Sequence, residues 1–318
     1  MTLKTEILTI SRQNQMDALS PWFDAQLDAR IQDGTYVNAQ TIADITAPQI
    51  VAQLKAYRLD NKINTVVLGM SGGVDSALTA RLFQIAGWTV QGLVMPIHQD
   101  PVETQRGIEA CERMGIDYQI IDLSDMFDAM HAKRAGHLPF ADSKAGRIRQ
   151  GNLRARLRMI TAYDTAAALG GLVASTDNFS ELSAGFWTIC GDVGDISPIQ
   201  NLLKSWEVPA LARAVDVPDS IWKAKPTDGL GVDDGDEAQL GASYLEWDLM
   251  LLHLMDNPAA TFTDERAQSV ARSVRTRMGQ TWFKRFGPIM LPGQDKTRYT
   301  RLEALDATLQ PDVMKTIA

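Results

Sequence analysis

Residues 65–77 read TVVLGMSGGVDSA, and the reading of this passage decides the fold. Val66, Val67 and Leu68 form a short apolar run with the β-branched content of a buried parallel strand, while Ala77, Leu78, Ala80, Leu82 and Phe83 switch to helical spacing. Between them Gly72 and Gly73 supply a turn that needs no Cβ and tolerates positive φ. Backbone N–H groups can therefore close around an anion at the positive end of the coming helix. Ser71 and Ser76 add hydroxyls, and Asp75 stands inside the cradle. A carboxylate beside a polyphosphate is repelled unless a divalent cation lies between them, so the loop implies Mg²⁺ together with its phosphate ligand. An ordinary Gly-Gly turn with Asp75 capping the helix is the plainer alternative.

Outward from this loop, strands and helices alternate. Thr89–Met95 reads as a strand, residues 102–114 as a helix stopped by Gly115, Tyr118–Ile121 as a third strand and Leu172–Ser175 as a fourth. The alternation predicts an α/β fold: a doubly wound parallel sheet with helices on both faces and the ligand beyond the strands' carboxyl ends. The fourth strand runs into Thr176-Asp177-Asn178 with Glu181 just beyond, repeating the order of strand end, hydroxyl and carboxylate. If the two strands are neighbours, Asp75 and Glu181 converge on one cation, with Thr176 near the nucleotide.

A loop at 136–146 precedes a long helix from Arg147 to about Leu169, which carries Arg149, Asn152 and Arg156 on one face. Such a basic stripe is ordinarily a solvated surface. GDVGDISP (191–198) lacks EF-hand spacing and suits hydrogen bonding to a polar ligand; Lys204 and a helix at 208–215 follow. Residues 224–236, AKPTDGLGVDDGD, have the composition of a mobile lid. From Asp236 one amphipathic helix is expected to carry Leu240, Tyr244, Trp247, Leu251 and Leu254, and another is expected over 264–280. Residues 1–60 read as helical, with Trp22, Phe23, Leu27 and Ile31 on one face, and with Ile50, Leu54 and Tyr57 on another after a helix start at Pro48.

A net charge of −8 speaks against a broad nucleic-acid footprint. No apolar run reaches the ~18 residues needed to span a bilayer. The first residues lack the apolar core of a signal peptide, so a cytoplasmic location is expected. Cys111 and Cys190 have no metal or redox spacing and are expected to be reduced, mostly buried thiols.

The loop matches neither G-x-x-x-x-G-K-[ST] nor G-x-G-x-x-G. SGGVDS instead resembles the pyrophosphatase loop of enzymes that cleave ATP between its α and β phosphates. With GNLRARLRM (151–159), STDNFSE (175–181), GDVGDISPI (191–199) and Lys204, KPTDGL (225–230) and DEAQLGASY (236–244), the chain resembles NAD synthetases of the adenine nucleotide alpha-hydrolase-like superfamily. The resemblance implies ATP-dependent amidation of deamido-NAD through an acyl-adenylate, with free ammonia as donor, in a homodimer whose interface lies near helix 147–169. It also implies residue roles. Gly69, Met70, Ser71, Gly72, Gly73, Val74, Asp75 and Ser76, with Thr176, Lys204 and Thr227, would bind ATP, and Asp75 and Glu181 would bind Mg²⁺. Asp75 and Lys204 would be catalytic, and Arg156, Asp195, Phe283 and Lys284 would hold deamido-NAD.

Ile189 stands where the family usually has a lysine, which leaves a different acid substrate open. The 68 residues before Gly69 hold no cysteine and are too few for a glutaminase domain. Division into an N-terminal helical extension (1–60), a nucleotide domain (61–260) and a C-terminal element completing the substrate site (261–318) is expected. Two rivals remain: another adenylating ligase acting on a different carboxylic acid, a nucleotide or a tRNA base, and an ATP-binding regulatory module without catalysis.

Overall fold

A computed structural model of the chain describes residues 1–11, 18–223 and 235–285. Strands β1 (Thr65–Gly69), β2 (Thr89–Val94), β3 (Asp117–Ile120) and β4 (Leu172–Val173) form one parallel sheet in the order β3-β2-β1-β4. The apolar run in β1 follows from coverage of both its faces. Val66 and Leu68 join one core with Val90 and Val94, and Val67 joins another with Leu93, Met95 and Val173. The fold is thus α/β and doubly wound, as the alternation predicts.

The helices are α1 (Leu3–Ser11), α2 (Pro21–Gln32), α3 (Ala39–Thr41), α4 (Ala47–Asn61), α5 (Val74–Ile85), α6 (Pro101–Met114) and α7 (Ser124–Ala135) in the first half. In the second are α8 (Lys144–Leu169), α9 (Phe179–Ala184), α10 (Glu207–Ala214), α11 (Asp219–Trp222), α12 (Asp236–Leu240), α13 (Tyr244–Asp256) and α14 (Glu265–Thr281). Leu78, Leu82 and Phe83 of α5 and Ala110 and Met114 of α6 fill the first core, which also takes in Phe23 and Leu27 of α2 and Trp247 of α13. Phe127 of α7 with Leu157, Ala162 and Ala166 of α8 fills the second. Because β2 and β3 lie on one side of β1 and β4 on the other, the strand order reverses between β1 and β4. In open parallel sheets the crevice beyond the carboxyl ends at such a reversal is where ligands bind.

One expectation is refined and two are corrected. Pro48 stands in the first turn of α4, as expected, but the chain is already helical there, because α3 runs through a π-helical segment, Ile42–Thr46, directly into α4. Proline has no N–H for the carbonyl one turn back, and the wider turn before it accommodates that loss. The amphipathic helix expected from Asp236 is two helices, α12 ending on left-handed Gly241 (φ 67°) and α13 opening on a capping box of Ser243 and Glu246. Cys111 is buried, but Cys190 is exposed, in a left-handed turn at φ 58°.

Candidate active site

The glycine loop leaves β1 and docks closely on α6. A Cβ at Gly72, where φ is +80°, would stand 2.7 Å from Arg106 Cβ and 2.8 Å from the Gly107 nitrogen. One added at Gly107 would stand 2.5 Å from the Met70 carbonyl oxygen. The loop's own hydroxyls hold its shape: Ser71 Oγ accepts from the Gly73 N–H (3.2 Å) and lies 3.1 Å from Ser76 Oγ, which donates to the Gly73 carbonyl at 3.1 Å. Gly73 caps α5 without a side chain. The first N–H groups of that helix therefore face the crevice with no capping oxygen, the local condition for anion binding.

Asp75, in the first turn of α5, meets residues from the far side of the crevice. Its Oδ1 accepts from Asn178 Nδ2 at 3.0 Å, and its Oδ2 pairs with Lys204 Nζ. Lys204 Nζ also lies 3.5 Å from Glu181 Oε1. Asn178 and Glu181 form the capping box of α9, so one asparagine both starts that helix and orients Asp75. Both carboxylates thus lie against the Lys204 ammonium, at the place where the sequence leads one to expect a shared divalent cation.

Burial alone would lower the Lys204 pKa, but Asp75 and Glu181 outweigh it and hold the ammonium above its ordinary range. Burial, eased by Lys204 and reinforced by Asp75, pushes Glu181 up. Asp177 is raised well above the usual carboxylate range, first by burial and then by Glu181, Asp192 and Asp75; its Oδ2 is buried without a hydrogen-bond partner. Tyr244 places its ring 5.8 Å from Lys204 Nζ and donates its hydroxyl to Asp236 at 3.1 Å. One lysine is thus surrounded by more carboxylates than it can neutralise, a surplus suited to a further cation. Among the described residues no group of three or more His, Cys, Asp or Glu cages a metal. Mg²⁺ commonly rests on one or two carboxylates plus phosphate oxygens and water, and Asp75 with Glu181 fits that share.

A second group gathers around residues 185–189. Arg156 Nε donates to the Ile189 carbonyl at 3.1 Å, and Asn152 Oδ1 accepts from Thr188 Oγ1 at 2.7 Å. Lys284 Nζ donates to the carbonyls of Gly185, at 2.7 Å, and Trp187. Its pKa is lowered chiefly by burial. On the basic face of α8, the exposed Arg149 and Arg156 and the half-buried Asn152 border, with His131, Arg134 and Phe140, an open cavity of about 210 Å³. Phe283, in the short 3₁₀ turn after α14, is exposed.

Asp195 sits elsewhere, at the edge of β4, where it accepts from the Tyr163 hydroxyl (3.0 Å) and the Val173 N–H (2.9 Å). Thr176 is half-buried at the end of the β4 loop. Thr227 and most of the expected lid lie outside the described residues. Asn178, Asp177 and Tyr244 were legible as parts of TDNFSE and GASY, but their roles appear only in the fold.

The NAD synthase family model matches residues 46–288. The chain belongs to the NAD synthase family. Within this family, the NH(3)-dependent NAD(+) synthetase of Pyrococcus furiosus is 35% identical over 213 residues, 65% of this chain and 79% of that protein. The NH(3)-dependent NAD(+) synthetase of Chlorobaculum tepidum is 32% identical over 249 residues, covering 74% and 87%. Among solved structures, NMN synthetase from Francisella tularensis aligns with a TM-score of 0.69 at 26% identity, over 80% of this chain and 99% of that one. The NH3-dependent NAD synthetase from Campylobacter jejuni aligns at 0.63 and 28% identity, over 80% and 100%. The NAD synthase match takes in the glycine loop, Asn178, Glu181, Lys204 and Lys284, and leaves α1, α2 and α3 outside it.

Proposed function

We propose that this NAD synthase family member converts deamido-NAD to NAD, using ATP to activate the carboxylate and free ammonia as the nitrogen donor. The observation that carries this reading is the meeting of Asp75, Glu181 and Lys204 beside the glycine loop, at the point where the sheet order reverses. A carboxylate is a poor electrophile. Attack of its oxygen on the α-phosphorus of ATP expels pyrophosphate and leaves an acyl-adenylate; ammonia then attacks the acyl carbon and AMP departs. The protein's task is positioning and charge stabilisation. In this reading the glycine loop and the α5 amides hold phosphate oxygens, and Lys204 answers the charge that develops on the departing pyrophosphate. Asp75 and Glu181 would hold Mg²⁺, which neutralises polyphosphate charge when bound. Arg156 and Lys284, gathered at 185–189, suit an anionic substrate, with Phe283 next to Lys284 in sequence and Asp195 suited to a ribose hydroxyl.

A homodimer goes with this reading. The exposed residues of α8 include Ile148, Ile160, Tyr163 and Leu169 among the arginines, apolar side chains that a second copy would cover. The division at residues 60 and 260 serves as a functional one: buttress, nucleotide chemistry, substrate closure. Two free thiols and substrates drawn from the cell interior support a cytoplasmic setting. No helix among the described residues is long and apolar enough to cross a membrane.

The test is pyrophosphate release from the purified chain with ATP and Mg²⁺, with and without deamido-NAD, giving ammonium and glutamine separately. Release that depends on deamido-NAD, with NAD formed from ammonium alone, is expected. Release driven only by another acid, such as the mononucleotide acid that yields NMN, would overturn the dinucleotide assignment and point to Ile189 as the selecting residue.

A further inference from the structure

Lys204 lies between two buried serines, and both neighbours are tied to one carboxylate. Asp248 of α13, fully buried, accepts from Ser180 Oγ at 2.5 Å through Oδ1 and from the Ser205 N–H at 3.1 Å through Oδ2. Ser180 Oγ in turn accepts the Lys204 backbone N–H at 3.0 Å. Ser180 immediately precedes Glu181, so Asp248 sets the main chain under the ammonium and one of the carboxylates it faces. The network continues outward: Ser205 Oγ lies 3.2 Å from the hydroxyl of buried Tyr36, and Trp206 Nε1 donates to the Val37 carbonyl at 2.8 Å. Tyr36 and Val37 lie before residue 46, outside the family match.

A buried carboxylate is costly, and an apolar residue would serve a purely packing role better. Asp248 is retained at a place where its two oxygens reach the two segments that must be held in register. We infer that Asp248 is a positioning residue for Lys204, acting through Ser180 and Ser205, and that the N-terminal segment braces the same unit through Tyr36. The inference rests on the proposed role of Lys204 toward ATP, but not on the identity of the acid substrate.

A double-mutant cycle on ATP affinity, read by calorimetry on the full chain, tests it. Asp248→Ala is expected to weaken ATP at least tenfold. Asp248→Asn, which can still accept from Ser205 and donate to Ser180, is expected to stay within about threefold of the wild type. In a Lys204→Met background the Asp248→Ala effect should vanish, because coupled residues are not additive. Tyr36→Phe should show a smaller loss that likewise disappears with Lys204→Met. If Asp248→Ala does not fold, Ser180→Ala takes its place in the cycle with the same expectation. Additive effects, or unchanged ATP affinity in folded Asp248→Ala or folded Ser180→Ala, would overturn the inference. Failure of deamido-NAD to drive pyrophosphate release, with the cycle still non-additive, would overturn the substrate assignment and leave the positioning role standing.

Discussion

Asn178 donates its side-chain amide to the Asp75 carboxylate across 3.0 Å, joining the helix after β4 to the helix after β1. The same residue caps α9. Asn178→Ala removes both bonds, and loss of a cap costs about 1 kcal/mol. The melting temperature should fall by roughly 2–4 °C, the usual response for a chain somewhat smaller than this one. Pyrophosphate release should drop further than stability explains, since Asp75 loses the donor on Oδ1 and is held by Lys204 alone. Calorimetry and a steady-state assay on one preparation separate the two effects.

Lys204→Met leaves Asp75 and Glu181 facing each other without their shared ammonium. Removing one partner of a buried ion pair typically costs about 3–5 kcal/mol. Turnover should fall by about two to three orders of magnitude, the scale for losing a transition-state charge partner. Mg²⁺ should raise the melting temperature of this variant more than that of the wild type, because a divalent cation restores the missing charge. Equal Mg²⁺ responses would argue against the carboxylates as its ligands, as would wild-type turnover in Asp75→Asn or Glu181→Gln.

Gly72→Ala forces a left-handed alanine and a Cβ against Arg106 and Gly107. Strain and overpacking of this kind cost about 1–3 kcal/mol each. The variant should melt several degrees lower and bind ATP more weakly, as the glycine loop lifts from α6. Gly136→Ala, with open space at the same atom, is the control.

Two carboxylates, the buried Asp248 and the half-buried Glu207, flank the Lys204 segment and give stability a pH dependence. Burial raises Glu207 to about 7, eased by the Leu203 N–H, and raises Asp248 to about 6, eased by its bonds to Ser180 and Ser205. Both values stand above those of the unfolded chain, near 4. The folded chain therefore holds protons that the unfolded chain has released. This contribution is full below pH ~4 and is lost as pH rises through 6 and 7. Glu207→Gln, which keeps an acceptor for Leu203, should flatten the fall in melting temperature between pH 5 and 8 relative to the wild type. Parallel curves would remove Glu207 from the account.

The glycine loop was legible because its signals are local: two glycines, a change from strand to helical spacing and a carboxylate in the first helical turn. Asp75 and Glu181 could be paired in advance because parallel strands deliver their following loops to one edge. The break at Gly241 was also legible, in the glycine and in the Ser243-x-x-Glu246 spacing, but the continuous apolar pattern from Leu240 to Leu254 masked it. Asp248 and Tyr36 carry no comparable signal. Asp248 reads as a polar interruption of an apolar helix, and Tyr36 as a residue beside a turn; their meeting at Ser205 joins segments separated by 169 and 43 positions. Cys190 was misplaced because composition ranks cysteine among buried residues, whereas here a left-handed turn turns it outward.

The bonds around Lys204 join segments near residues 36, 75, 178, 204 and 248. Such widely separated contacts form late in folding, since loop closure must precede them. As the chain emerges from the ribosome, its glycine loop is exposed long before Asp248 has been synthesised. The bonds that Asp248 makes to Ser180 and Ser205 cannot form until most of the polypeptide exists. The appearance of ATP affinity in a refolding experiment should mark the end of folding, after the sheet has formed.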